Sequence, residues 1–336
     1  MNAHCVHHGG GLRAAAADSA IPLADWLDVS TGIAPWSWPV PSLPGDVWAR
    51  LPEADDGLIA AAADYYQQAP ERLVAVPGSQ FAIRALPEQV PPGRVGLPRV
   101  GYREHERAWQ MAGHTPVYYD SSSELAATSA GLDYAVLLAP NNPLGDMPTY
   151  ADCQTIADRL GTGRLIVDAA FLDCASQPPM LPETAITLRS VGKFFGLAGI
   201  RLGFAIGPPE ALADLAQRVE PWGVSHPARW VGAGALADEA WQAAQRRRIA
   251  NGEAWLLDCL ATHMPEARLA SGGLFVTACF ESPHAAPAWH AALARQGVLT
   301  RLGDDNHWLR FGLVRHTQRQ RLATAVHAAR VYPQGH

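Results

Sequence analysis

Ser190-Val-Gly-Lys193-Phe-Phe-Gly-Leu-Ala-Gly-Ile-Arg201-Leu-Gly203 is the stretch that decides the fold. A lysine sits among small residues, three after a serine and eight before an arginine. Lysine is scarce in this chain, so its placement is informative. A lysine used as a nucleophile reacts as the neutral amine, a form that burial favours. It also needs an uncrowded backbone. Arg201 adds a guanidinium, which grips a phosphate through two parallel N–H bonds. Together these residues offer a nucleophilic amine beside an anion site.

Working outward, short apolar runs alternate with helical ones. Strands are read at Leu73–Val76, Arg94–Leu97, Pro116–Tyr119, Tyr134–Leu138, Arg164–Asp168, Thr184–Leu188 and Leu202–Ile206. Helices are read at Leu58–Gln67, Glu104–Ala112 and Tyr150–Leu160, and Pro77-Gly-Ser-Gln80 opens another. Short apolar strands between helices imply an α/β fold, a mostly parallel sheet covered on both faces. Ligands of such sheets bind at the carboxyl ends of the strands. After Pro221 the texture changes. A long Ala/Trp-rich helical region runs from Pro227 to Thr262. Strands follow near Gly273–Cys279, Val298–Arg301 and Trp308–Leu313, with a closing helix at Thr317–Ala329. Three parts are expected: an arm over 1–40, a large domain over 41–225, and a linking helix with a small α+β domain over 226–336.

The candidate site residues fall at the predicted strand ends. Asp168 closes an apolar strand 25 residues before Lys193. Asn142 lies in the turn-rich loop Ala139-Pro-Asn-Asn-Pro-Leu-Gly145. Gly78, Ser79 and Gln80 open a helix, where backbone N–H groups form a ready anion site. Ser190 and Arg201 extend that cradle. Tyr102, in Val100-Gly-Tyr-Arg-Glu104, offers a ring face.

In this order the residues resemble the fold-type I pyridoxal-phosphate (PLP) enzymes, the aspartate aminotransferase superfamily. The resemblance implies PLP as cofactor. Lys193 would carry it, Asp168 would pair with its ring nitrogen, Asn142 would donate to its ring hydroxyl, and Tyr102 would stack on it. Gly78, Ser79, Gln80, Ser190 and Arg201 would hold its phosphate. Lys193, Asp168 and Tyr102 are the expected catalytic residues. Two positions depart from the superfamily pattern. Phe171 stands where relatives often carry tyrosine, and Gly192 replaces a hydroxyl residue before the lysine.

Arg310, in His307-Trp-Leu-Arg-Phe-Gly312, resembles the superfamily's arginine for the substrate α-carboxylate. The arm narrows the reading further. His7-His-Gly-Gly10 and Leu27-Asp-Val-Ser-Thr-Gly-Ile-Ala-Pro35 resemble the threonine-phosphate decarboxylases, the cobalamin-pathway branch close to histidinol-phosphate aminotransferase. That branch tends to carry phenylalanine at the position of Phe171. The implied reaction is PLP-dependent decarboxylation of L-threonine O-3-phosphate to (R)-1-amino-2-propanol O-2-phosphate. His8, Arg301 and the Ser30-Thr31-Gly32 loop are the candidates for the substrate phosphate. Two alternatives stay open. One is an aminotransferase acting on histidinol phosphate or a similar amine. The other is a component of corrinoid amidation that binds without turnover.

Bulk properties set bounds. A chain of 336 residues buries a large core in one or two domains. The net charge of -6 argues against nucleic acid or an anionic membrane as partner. Five scattered cysteines with no C-x-x-C pair suggest reduced thiols and no metal site. No signal peptide and no apolar run of ~18 residues is read. A cytoplasmic enzyme is expected, and superfamily resemblance implies a homodimer. Eleven tryptophans suit core and interface packing.

Overall fold

The computed structural model describes residues 9–175 and 178–330. These divide into two compact units. One takes the chain up to Trp36, Pro143–Gly145 and everything from Arg246 onward. The other takes Ser37–Asn142 and Asp146–Gln245.

The larger unit is built on a seven-stranded sheet. Its strands are β1 (Leu73–Val76), β2 (Arg94–Pro98), β3 (Thr115–Tyr119), β4 (Tyr134–Leu138), β5 (Leu165–Asp168), β6 (Ile186–Ser190) and β7 (Gly203–Ile206). Their order across the sheet is β1-β7-β6-β5-β4-β2-β3. All neighbours run parallel except β7, which is antiparallel to both β1 and β6. Strand β4 shows why the sheet is covered twice. All five of its residues are buried. Tyr134, Val136 and Leu138 pack into one apolar cluster with Trp109, while Ala135 and Leu137 pack into another with Ile156. A strand that alternates between two cores reads as a continuous apolar run. Helices α1 (Ser79–Ala85) and α2 (Arg103–Met111) cover the first of those faces.

The smaller unit carries a four-stranded antiparallel sheet. Its strands are β8 (Arg268–Ser271), β9 (Phe275–Cys279), β10 (Arg301–Leu302) and β11 (Trp308–Gly312), in the order β10-β11-β9-β8. Leu27–Asp28 pairs in parallel with Val298–Leu299.

The expected elements recur with local shifts, each with a cause. Strand β6 starts at Ile186 rather than Thr184, because Ala185 N–H turns back to Pro182 O at 3.1 Å. The long helical region splits at Asp238 into His226–Ala237 and Glu239–His263. There Asp238 Oδ1 accepts from Trp241 N–H at 3.0 Å, capping the second helix. The run Val298–Arg301 divides between two sheets at buried Thr300, whose hydroxyl meets His290 Nδ1 at 2.7 Å. Strand β8 and the helices Ser122–Thr128 and Pro209–Val219 were not legible from periodicity. Among the described residues, no helix is long and apolar enough to cross a membrane.

Candidate active site

The parallel strands deliver the expected residues to one edge of the large sheet. Strand β1 hands over to Pro77-Gly78-Ser79, β4 to Ala139–Asn142, and β5 ends on Asp168. Strand β6 ends on Ser190, three residues before Lys193. Because β7 is antiparallel, its amino end lies at this same edge, and Arg201 just precedes it. Gly78, Ser79, Gln80, Tyr102, Asn142, Asp168, Phe171, Ser190, Lys193 and Arg201 line a single cleft of about 120 Å³. Lys193 is the only lysine in the chain.

Asp168 is held at both carboxylate oxygens. Oδ1 accepts from Ala170 N–H at 3.1 Å, and Oδ2 lies 2.9 Å from Nε2 of buried His105. His105 was missed by sequence reasoning. The available signal was its position three residues after Tyr102 on one helical face. Phe171 places its ring 5.4 Å from Lys193 Nζ, so the departure from tyrosine leaves an apolar face beside the amine.

An anion cradle forms where α1 begins. Gly78 has φ +78°, and a β-carbon there would meet Arg201 Nη2 at 2.6 Å. Glycine lets the guanidinium close over the turn. Arg201 itself adopts φ +56° and has no carboxylate partner among the described residues. Neither the Ser79 nor the Ser190 hydroxyl makes a hydrogen bond among the described residues. Phe81 N–H turns back to Gly78 O at 3.0 Å, and the N–H groups of Ser79 and Gln80 at the start of α1 have no intrahelical acceptor. A guanidinium, two hydroxyls and open N–H groups around one turn fit a phosphate group.

The side chain of Gln80 is engaged elsewhere. Its Oε1 accepts from Tyr102 Oη at 2.9 Å, and its Nε2 donates to Glu104 Oε2 at 2.8 Å. Only its main-chain N–H faces the cradle role read from sequence. Tyr102 has its pKa pushed up to about 12, chiefly by burial and further by the Glu104 and Asp168 charges. Behind the site, buried Arg189 on β6 pairs with Asp173 and lies 4.9 Å from the Tyr66 ring centroid. Burial opposes its charge, but Asp173 and the neighbouring tyrosines outweigh that, and its pKa moves up.

In the smaller unit, Arg310 is buried in the centre of β11. Its Nη2 donates to Ser30 O at 2.8 Å and its Cζ lies 5.2 Å from the Phe275 ring. Ser30 is itself tied down. Its Oγ donates to Asp28 Oδ1 at 2.6 Å and accepts from Gly10 N–H at 2.7 Å. Gly32 is buried in the same segment. Arg301 stands directly across the strand pair from Arg310. It bonds Asp304 at 3.0 Å and lies over the Trp308 ring. His8 lies outside the described residues.

Residues 48–327 match the family model of class I and II aminotransferases. The chain is 44% identical over 315 residues to a threonine-phosphate decarboxylase of Pseudomonas aeruginosa, covering 92% of this chain and 93% of that one. It is 35% identical to a threonine-phosphate decarboxylase of a Sinorhizobium species, again over 92% and 93%. Among solved structures, the histidinol-phosphate aminotransferase of Sinorhizobium meliloti, in complex with pyridoxal-5'-phosphate, superposes with a TM-score of 0.80. It is 19% identical and covers 90% of each chain. The chain therefore belongs to the class I and II aminotransferase family, with the fold of the type I PLP enzymes. It is a PLP-dependent enzyme, and the cleft around Lys193 has the donor set that this cofactor requires.

Proposed function

We propose that this chain is a threonine-phosphate decarboxylase that converts L-threonine O-3-phosphate to (R)-1-amino-2-propanol O-2-phosphate in cobalamin biosynthesis. The carrying observation is 44% identity over 92% of the chain to a protein of that name. The arm motifs around Gly10 and Ser30, and Phe171 beside Lys193, support the same reading.

When bound, PLP supplies an electron sink that lets a bond at the substrate Cα break. Lys193 Nζ holds the cofactor. Asp168, braced by His105 and Ala170 N–H, keeps a proton on the ring nitrogen. Asn142 donates to the ring oxygen and Tyr102 lends its ring face. The main-chain N–H groups of Gly78, Ser79 and Gln80, with Ser79 Oγ, Ser190 Oγ and Arg201, hold the cofactor phosphate. Arg310 grips the substrate α-carboxylate. Arg301, His8 and the Ser30-Thr31-Gly32 loop are proposed for the substrate phosphate, with Gly32 contributing backbone. Once the substrate amine replaces it on the cofactor, Lys193 Nζ, or water, would supply the proton that takes the place of the departing CO2 at Cα.

The test is incubation of purified protein with PLP and threonine phosphate. Release of CO2 without 2-oxoglutarate is the expected result. Glutamate formation that depends on supplied 2-oxoglutarate would instead establish the aminotransferase reading, which family membership alone supports equally. Binding of PLP with neither product would leave the non-catalytic reading. A cytoplasmic homodimer accompanies the proposal. Trp48, Leu51 and Trp222 are each more than half exposed on the larger unit, which leaves large apolar side chains for a second copy to cover. Sedimentation of the holoenzyme checks that assembly.

A further inference from the structure

The side chains of Gln80, Tyr102 and Glu104 form a chain whose direction is fixed by one buried group. Glu104 is 2% exposed on α2, with Arg84 at 3.2 Å and Arg107 at 3.8 Å. A carboxylate accepts and does not donate, so the group of Gln80 facing it must be the amide nitrogen. That leaves the amide oxygen facing Tyr102. The Tyr102 hydroxyl must then donate to it, over 2.9 Å. The phenol, with its pKa raised, keeps the proton this bond requires.

We propose that Glu104 and Gln80 are positioning residues that set Tyr102 as a fixed stacking face for the cofactor ring. In this arrangement Tyr102 spends its proton on Gln80 and offers the cleft a ring face rather than an acid. Gln80 serves the site through Tyr102, not as a side-chain ligand of the phosphate. The inference rests on the reading of Tyr102 as the residue beside the PLP ring.

The test uses cofactor-stripped full-length protein titrated with PLP, followed by tyrosine fluorescence quenching and by visible circular dichroism of the bound cofactor. Wild-type protein must first bind PLP, since failure there would reject the cofactor reading and not the strut. Tyr102→Phe and Gln80→Leu are each expected to weaken PLP about fivefold, the worth of one net hydrogen bond. Both should alter the dichroic band alike. The double variant is expected to lose no more than either single one, because each breaks the same link. Glu104→Leu should resemble Gln80→Leu, and Glu104→Gln, which can present either an oxygen or an N–H to Gln80 and so no longer fixes its orientation, should fall between wild type and Glu104→Leu. A double variant weakened by the product of the two single effects would overturn the proposal. So would a Gln80→Leu protein with unchanged affinity and dichroism, or a Glu104→Leu protein that changes only in melting temperature.

Discussion

Gly78 and Arg201 meet so closely that a single methyl group on Gly78 would reach 2.6 Å from the guanidinium Nη2. The two residues flank the carboxyl end of β1 and the amino end of β7. Gly78 also holds φ 78° with ψ 149°, a region open to glycine and costing about 1–3 kcal/mol for other residues. Gly78→Ala is therefore expected to displace Arg201 and weaken PLP binding more than about tenfold, the scale of one charge-assisted bond. Titration of the stripped protein checks this. Affinity equal to wild type would mean that Arg201 does not contact the cofactor phosphate.

Much of this site was legible because its residues are chemically rare or tied to strand ends. Asp168 follows three apolar residues, and Lys193 stands alone of its type. Asn142 and Gly78 carry turn chemistry next to strands that periodicity reveals. His105 and Glu104 were hidden because a polar residue on an amphipathic helix is read as solvent-facing by default. Both in fact turn inward, to Asp168 and Gln80, across sequence separations of 63 and 24 residues. The commitment of the Ser30 hydroxyl to Asp28 and Gly10 was equally hidden, since it depends on a turn and a distant backbone group. Strand β8, only partly buried, carries little apolar pattern to read.

The pair Asp173–Arg189 joins the segment after Asp168 to the strand before Lys193. Both side chains are largely buried, at 1% and 11% exposure. Removing one partner leaves the other charge without compensation in a poorly solvated site, at a cost of about 3–5 kcal/mol. Asp173→Ala is expected to lower the denaturant midpoint by that amount of stability, measured by chemical unfolding. A loss below about 1 kcal/mol, the worth of a surface pair, would show that Arg189 finds water or another acceptor.

Tyr102 gives the site a signature in alkali. Its pKa rises from 10 to about 12 on folding, so the unfolded chain loses this proton first. Between those values the native state binds more protons than the unfolded state. Stability from this group is thus complete below about pH 10 and lost as pH rises toward 12. Absorbance titration of phenolate should show Tyr102→Phe lacking one late-ionising tyrosine. A variant that instead lacks an early-ionising one, near pH 10, would contradict the buried hydroxyl donor.

His105 and Asp168 offer the sharpest separation of positioning from binding. Ala170 N–H holds one carboxylate oxygen, and His105 Nε2 holds the other at 2.9 Å. Without the imidazole the carboxylate is free to rotate about its remaining bond, and its alignment with a ring nitrogen degrades. Misplacement of a reacting group by about 1 Å costs on the order of 10²-fold in rate. His105→Ala is expected to reduce kcat on that order while KM for the phosphorylated substrate changes little, since Arg310 and Arg301 lie on other strands. His105→Asn supplies a side-chain donor on a shorter arm and should recover part of the loss. Equal losses in kcat and in substrate affinity would point to a general disturbance of the cleft rather than to the orientation of Asp168.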